Sequence, residues 1–275
     1  MPIPFGALSA DFTDLLYEKR GHIALITVNR PEVGNSLTGQ MHAVMRSIWA
    51  DVQADPQVRC VIVTGAGSRH FSTGADVGGV AEAGRVSSGD GPMRHEVFWS
   101  PRQCDVWKPV IAAVNGLAAG AGLHLVVDAD IVVASQSASF LDTHVNVGMV
   151  GAIENIGLAK RLPLGTALRM TLQGKAYRLS AERAYQLGFV DELVAPDELL
   201  PTATAIADDI CANSPHAVSL SQQAIWKSLD LGYQEATEYG WALLRMHWGH
   251  PDFKEGPRAF VEKRSPVWVV DGEGQ

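Results

Sequence analysis

Apolar residues follow two different patterns along this chain. Residues 60–64, 110–114 and 131–134 are continuous apolar runs rich in β-branched side chains, which predicts buried strands. Residues 38–52 carry apolar positions at helical spacing behind a threonine, which predicts a helix with a Ser/Thr cap. Two apolar segments on either side of an Arg-Gly turn, within residues 15–29, predict a short hairpin. This alternation of strands and helices favours an α/β fold.

The strand patterns stop before the last quarter of the chain. From there, helical spacing runs through residues 203–213, 217–229 and 233–248. We therefore expect an α/β core over residues 1–198 and a helical region over residues 199–275. No shift in composition separates the two, and 275 residues with 47% hydrophobic content can bury a full core.

Composition and charge narrow the function classes. The formal net charge of −8 argues against a nucleic-acid partner. The first residues lack a basic segment followed by a long apolar core, and no apolar run reaches the length of a membrane span. We expect a cytoplasmic protein that is not a membrane protein.

The cysteines and a histidine pair do not suggest a metal site. Cys60, Cys104 and Cys211 are an odd, widely spaced set, which fits a reducing compartment without a disulfide framework. His247 and His250 stand close together, but the adjacent Gly and Pro end a helix there. The expectation from the sequence is that the protein binds no metal.

A turn of small residues follows the second buried strand. Residues 108–124 are K-P-V-I-A-A-V-N-G-L-A-A-G-A-G-L-H, an apolar strand that runs through Gly and Ala into a helix. Small side chains leave backbone N–H groups open at a helix N-terminus, where the helix dipole favours negative charge. Such a turn can form half of an oxyanion hole, or it can serve tight packing alone.

Further segments combine with this turn into a family pattern. V-I-V-T-G at residues 61–65 and F-S-T-G-A-D at residues 71–76 precede it, N-R-P-E and N-S-L occur within residues 29–37, and F-V-E-K-R occupies residues 260–264. In this order, the segments resemble the crotonase superfamily, the enoyl-CoA hydratases and isomerases. The resemblance extends over nearly the whole chain.

The resemblance implies a fold and an assembly. It implies an α/β fold, a crotonase-like spiral of repeated ββα units with a C-terminal helical tail. It also implies that residues 199–275 pack between subunits of a homotrimer or a dimer of trimers. Residues 77–92, rich in Gly and Ser, would be the least ordered stretch and would flank the acyl pocket.

The resemblance also implies binding residues for an acyl-CoA. The thioester carbonyl would accept hydrogen bonds from the N–H groups of Ala75 and Ala121, although the family usually has glycine at the second position. No separate cofactor is implied, because coenzyme A is part of the substrate. The residues expected near coenzyme A are Arg30, Gly74, Asp76, Phe260 and Lys263. Asp76 alternatively fixes its own loop by local hydrogen bonds.

The catalytic positions depart from the family pattern. At the two positions where a typical hydratase of the family has glutamate, this chain has His124 and His144. Imidazole can give or take a proton near neutral pH. Glu154 is the best remaining acidic candidate, and Asp142 is a weaker one. Asp128, one helical turn after His124, is placed to orient its ring. Each of these residues also has a purely structural interpretation.

Three functions stay open from the sequence. The first is an enzyme of fatty acid metabolism that acts on an acyl-CoA through an enolate, nominally an enoyl-CoA hydratase or isomerase. The second is hydrolytic C–C cleavage of a β-dicarbonyl compound, a retro-Claisen reaction in which His144, with Glu154, activates water. The third is an acyl-CoA binder without catalysis.

Overall fold

Ten strands form two sheets in this computed structural model, which describes residues 12–85 and 89–269, without the side chain of Ala83. The larger sheet has the order β1-β2-β3-β5-β7-β10, and all its neighbours are parallel except the β1/β2 hairpin. The smaller sheet has the order β4-β6-β8-β9, with only β8/β9 antiparallel. The strands are β1 (Leu15–Arg20), β2 (Ile23–Val28), β3 (Cys60–Gly65), β4 (His70–Ser72), β5 (Val110–Val114), β6 (Leu117–Ala119), β7 (Ile131–Ser135), β8 (Ser139–Leu141), β9 (Leu179–Ser180) and β10 (Glu192–Val194).

Each repeat of the chain contributes one strand to each sheet. The pairs β3/β4, β5/β6 and β7/β8 all follow this rule, and a helix comes after each pair. The helices are α1 (Gly39–Ala54), α2 (Val77–Ala83), α3 (Met93–Glu96), α4 (His124–Val127), α5 (Ile153–Arg161), α6 (Leu164–Gln173), α7 (Ala181–Gln186), α8 (Leu199–Cys211), α9 (Pro215–Lys227), α10 (Tyr233–His247) and α11 (Asp252–Glu262). The expected spiral of ββα units with a helical tail is confirmed.

Both faces of the larger sheet are buried, which explains its continuous apolar strands. Val61 and Val63 of β3 face the core that α1 shares with the smaller sheet. Cys60 and Ile62 face the opposite way, against α8. The first helix of the tail therefore closes the core of the sheet. The boundary predicted at residue 198 stays a prediction, and parts of both predicted regions lie outside the described residues.

Most predicted elements are confirmed, with two differences. Thr38 caps α1, because its side chain accepts a hydrogen bond from Met41 N at 3.2 Å. Residues 77–83 form helix α2 rather than an irregular stretch, because Asp76 caps them and Gly84 ends the helix at φ +69°. Residues 86–88 of the same stretch lie outside the described residues. A fourth tail helix, α11, was not predicted. Among the described residues, no helix is both long and apolar enough to cross a lipid bilayer.

Two glycines let the loops after β4 and β6 touch. A Cβ atom on Gly74 would lie 2.8 Å from Ala119 O and 3.0 Å from Ala121 N, and Gly74 also has a φ of +92°. A Cβ atom on Gly122 would lie 2.7 Å from Ser72 Cβ and 2.9 Å from Ser72 O. The contact between these loops therefore requires glycine at both positions.

We predict that Gly122→Ala lowers the free energy of unfolding by about 1–3 kcal/mol, because a packed backbone must move to admit the methyl group. Gly165→Ala is the matched control, since nothing lies within 4 Å of the added Cβ in α6. Its stability should be unchanged or slightly raised. Urea unfolding of both variants measures the difference, and equal midpoints would contradict the close contact.

Candidate functional site

A cavity of about 820 Å³ opens beside the carboxyl ends of β4, β6 and β8. The loops that follow these three parallel strands bring Ala75, Ala121 and His144 to its wall. Helices α4 and α5 add His124 and Glu154. Because the carboxyl ends of neighbouring parallel strands meet at one edge of a sheet, residues far apart in sequence converge there.

The backbone N–H of Ala75 is oriented away from its neighbouring segment. Leu37 N donates to Gly74 O at 2.8 Å, and Asp76 N donates to Leu37 O at 2.9 Å. Since N–H groups alternate sides in extended chain, the N–H of Ala75 points to the other side. Ala121 is the second residue of the 3-10 turn Gly120–Leu123. The first N–H groups of such a turn have no partner within it, so both are donors at the cavity wall.

The carboxylate of Glu154 lies between two imidazole rings. Its Oε2 is 3.4 Å from His124 Nε2, and its Oε1 is 3.1 Å from His144 Nε2. The exposed fractions of the three side chains are 5% for Glu154, 7% for His124 and 16% for His144. The structure thus brings together the three residues that the sequence analysis selected as candidates.

Asp142 fixes the ring of His144. Its Oδ1 lies 2.6 Å from His144 Nδ1 and accepts the backbone N–H of His144 at 3.1 Å, while its Oδ2 accepts Asn155 Nδ2 at 2.7 Å. A Cβ atom on Gly151 would lie 2.5 Å from Asn155 Nδ2 and 2.9 Å from Asp142 Oδ2, so this arrangement requires glycine there. His144 is therefore oriented through Nδ1, with Nε2 towards Glu154.

Burial and hydrogen bonds shift the pKa values of this cluster in different directions. Burial opposes ionisation of Asp142, but hydrogen bonds from His144 and Asn155 outweigh it and lower the Asp142 pKa. The hydrogen bond to Asp142 raises the pKa of His144 despite partial burial. Burial raises the pKa of Glu154. Both members of the His144–Glu154 contact therefore tend to hold a proton, and they titrate as a coupled pair.

Gln103, which the sequence analysis missed, sets the tautomer of His124. Its Oε1 accepts the backbone N–H groups of Trp99 at 2.9 Å and Ser100 at 3.1 Å. Its Nε2 must then donate to His124 Nδ1, 2.9 Å away. The proton of neutral His124 consequently resides on Nε2, the ring nitrogen that lies 3.4 Å from Glu154 Oε2.

His124 is a neutral ring in this site. Burial, followed by the charges of His144 and His42, lowers its pKa to about 3. His42, another lining residue that the sequence analysis missed, accepts the backbone N–H of Phe98 at 2.9 Å. Asp128 does not orient His124 as expected, because its carboxylate accepts the hydroxyl of Ser100 instead. No motif signalled Gln103 or His42.

The residues expected near coenzyme A are divided between two regions. Asp76 lines the cavity, where its Oδ1 accepts Gly78 N at 3.2 Å and caps α2, and Gly74 directly precedes the lining residue Ala75. Arg30 lies 3.6 Å from Asp76 Oδ2 and also donates to Ser36 O at 2.9 Å. Phe260 is on α11 and Lys263 caps the C-terminus of that helix, and neither is among the described residues that line the cavity. Phe260 is 85% exposed there.

Comparisons with known proteins agree with this fold. The model of the enoyl-CoA hydratase/isomerase family matches residues 18–271. An (E)-benzylidenesuccinyl-CoA hydratase of Thauera aromatica is 33% identical over 91% of this chain and 97% of its own. A short-chain-enoyl-CoA hydratase of Clostridium acetobutylicum is 32% identical over 92% of this chain and 97% of its own. A solved enoyl-CoA hydratase/isomerase from Mycobacterium paratuberculosis superposes with a TM-score of 0.85 at 39% identity, covering 94% and 100% of the two chains.

These matches place the chain in the crotonase superfamily of enzymes. The chain belongs to the enoyl-CoA hydratase/isomerase family, as its motifs indicated.

We predict that acid unfolding of this protein is driven in part by His124. Its pKa of about 3 in the folded state lies below the ordinary value of 6.5, so the unfolded chain binds more protons between these limits. The contribution of His124 to the free energy of unfolding has its full value above pH 6.5 and is lost as the pH falls towards 3. Between pH 7 and pH 5, the parent should lose about 2 kcal/mol more than His124→Gln.

Urea unfolding at both pH values measures this difference. His95→Gln is the control, because His95 is an exposed histidine on α3. Equal losses in the parent and His124→Gln would contradict a buried, neutral His124.

Proposed function

We propose that this protein is a hydratase that adds water to the double bond of an enoyl-CoA thioester. The observation that carries the proposal is the carboxylate of Glu154, 3.1 Å from His144 and 3.4 Å from His124 in a cavity that Ala75 and Ala121 also line. An acid, a base and two backbone donors then face one space, as hydration of a conjugated thioester requires.

In the proposed reaction, the N–H groups of Ala75 and Ala121 hold the thioester oxygen. Addition of water at C3 makes the thioester an enolate, so negative charge develops on that oxygen. Two fixed donors stabilise the charge by about 3 kcal/mol each. Alanine at position 121 supplies the same N–H as the glycine that is usual in the family.

Glu154 and His144 divide the proton transfers. Glu154 takes a proton from water as the oxygen attacks C3, and the imidazolium of His144 donates its Nε2 proton to C2. Protonated Glu154 then returns a proton to neutral His144 across their 3.1 Å contact, which restores both groups. His124 is a positioning residue, because its Nε2–H faces the second carboxylate oxygen of Glu154.

The relatives do not fix the acyl group. Enzymes named for benzylidenesuccinyl-CoA, short-chain enoyl-CoA and carnitinyl-CoA are all 32–33% identical to this chain. Their names share the CoA thioester and differ in the acyl part. We therefore propose that the substrate of this chain is an acyl-CoA and that no separate cofactor takes part. Activity assays with different acyl groups identify the acyl part.

A retro-Claisen hydrolase is the second candidate, and the Asp142–His144 pair favours it. A carboxylate 2.6 Å from Nδ1 is the arrangement that makes Nε2 of a histidine a base for water. Water would attack one carbonyl of a β-dicarbonyl substrate, the C–C bond would break, and the leaving enolate would lie at Ala75 and Ala121.

The remaining expectations concern binding and assembly. Gly74 and Asp76 stay proposed for coenzyme A, with Arg30 and Lys263 as its basic contacts and Phe260 at its adenine end. A homotrimer or dimer of trimers in the cytoplasm also stays proposed. Exposed apolar side chains on α10, namely Trp241, Leu244 and Met246, support an interface.

We predict that Glu154→Gln lowers kcat for hydration by about 100-fold or more, because a proton acceptor is lost. KM should stay within about threefold, since the amide keeps the shape of the side chain. Loss of the enoyl-thioester absorbance of crotonyl-CoA measures the reaction. Glu182→Gln, at an exposed position in the first turn of α7, is the matched control.

The same assay separates the candidate functions. Loss of hydration in both Glu154→Gln and His144→Ala supports the hydratase. Full hydration by Glu154→Gln contradicts the role of Glu154 as the base. Turnover of cyclic β-diketones or β-ketoacyl-CoA esters without hydration of a panel of enoyl-CoA esters favours the hydrolase, and binding of these esters without turnover of either substrate class identifies a binder.

We predict a bell-shaped pH profile of kcat/KM that Asp142→Asn changes on one side. Activity falls at low pH as Glu154 is protonated, and this limb lies above pH 4.5 because burial raises the Glu154 pKa. It falls at high pH as His144 loses its proton, above pH 6.5. Asp142→Asn removes the hydrogen bond that raises the His144 pKa, so the alkaline limb should move to lower pH. An alkaline limb that does not move would contradict the role of His144 as the acid.

A further inference from the structure

Three histidines meet in the helical tail, away from the described residues that line the cavity. His216 is in the first turn of α9, His247 ends α10, and His250 lies in the connection to α11. One ring nitrogen from each lies within 4.8 Å of the other two. The sequence offered only His247 and His250 as a pair, and the fold supplies the third ring.

The ring nitrogens of this cluster lie close together, and two of the rings are stacked. His216 Nδ1 and His247 Nδ1 are 2.8 Å apart, and the rings of His216 and His250 stack with centroids 4.1 Å apart. Zinc-nitrogen bonds of about 2.0–2.1 Å place tetrahedral ligands about 3.3 Å apart. Side-chain rotations that open the 2.8 Å contact, turn the stacked rings and close the other distances, which are within 4.8 Å, reach that spacing. All three side chains are partly exposed, so they have room to rotate.

The charges around the cluster favour a cation. His247 is at the C-terminus of α10, where the helix dipole is negative. Asp252 is buried, and its Oδ2 lies 3.7 Å from His250 Nδ1. The backbone N–H of Asp252 donates to the same Nδ1 at 3.3 Å, so the carboxylate acts on the cluster through its negative charge, which favours a nearby cation. Ser214 and the N–H of Val269 hold this carboxylate in place at 2.5 and 2.9 Å.

We propose that His216, His247 and His250 bind one divalent transition metal ion, zinc in the first instance. Imidazole ligands suit Zn²⁺, Ni²⁺ and Cu²⁺ and disfavour Mg²⁺ and Ca²⁺. The ring that carries a proton on Nδ1 in the His216–His247 contact moves it to Nε2, so the ligands stay neutral. Water completes the coordination. The ion joins α9 and α10 to the segment that leads into α11, so its role is structural.

Titration calorimetry of the tag-free, metal-stripped protein with Zn²⁺ tests the proposal. We expect one ion per chain, no heat with Mg²⁺, and a thermal midpoint raised by several degrees with excess Zn²⁺. His216→Ala and His250→Ala should each weaken binding at least tenfold, whereas His95→Ala should bind as the parent does. His95 is exposed on α3, and circular dichroism checks the fold of every variant.

Two results would overturn the site. One is an absence of stoichiometric binding by the parent, and the other is unchanged binding by a folded His216→Ala. If a variant does not fold, X-ray absorption of the parent with one equivalent of Zn²⁺ decides, because three imidazole ligands give a distinct scattering pattern and oxygen ligands alone would refute the proposal. None of these measurements depends on the proposed hydratase activity.

Discussion

A carboxylate removed from water is costly unless it is neutral or paired, and Glu154 lies 3.1 Å from His144 Nε2 and 3.4 Å from His124 Nε2. Gln103 fixes the tautomer of His124 that carries its proton on Nε2. Asp142 in turn orients His144. These groups depend on one another, because a ring in the wrong tautomer would turn a lone pair towards the buried carboxylate. The arrangement of the cluster therefore rests on the partners that hold each ring on the side away from Glu154.

The ββα repeat explains how such a cluster is assembled from distant residues. Each repeat sends a strand to the smaller sheet and ends it at the same edge, so the loops after β4, β6 and β8 lie side by side. Gly74 and Gly122 set the spacing of the first two loops. The backbone N–H groups of Ala75 and Ala121 and the side chains of His124, His144 and Glu154 thus all come from the loops and helices that follow strands of the repeat.

The sequence predicted what depends on local pattern or on family motifs. Buried strands, the cap at Thr38 and the three candidate residues of the cluster were all found from it. Gln103 was not, because it lies in the three-residue 3-10 turn Arg102–Cys104, which is too short to show a periodic pattern. His216 was also missed, since its contact with His247 depends on how α9 packs against α10. The spacing of residues along the sequence does not predict polar contacts that form only through tertiary packing.

The position of α8 has a consequence for how this chain can be divided. Leu199, Ala203 and Ala207 cover one face of the larger sheet, so this helix behaves as part of the core although it begins the helical tail. Cutting the chain at residue 198 would leave a bare apolar sheet. The unit that homologous proteins can exchange or reposition as a module therefore starts after Cys211, and recombination between relatives should tolerate a crossover there better than one before Leu199.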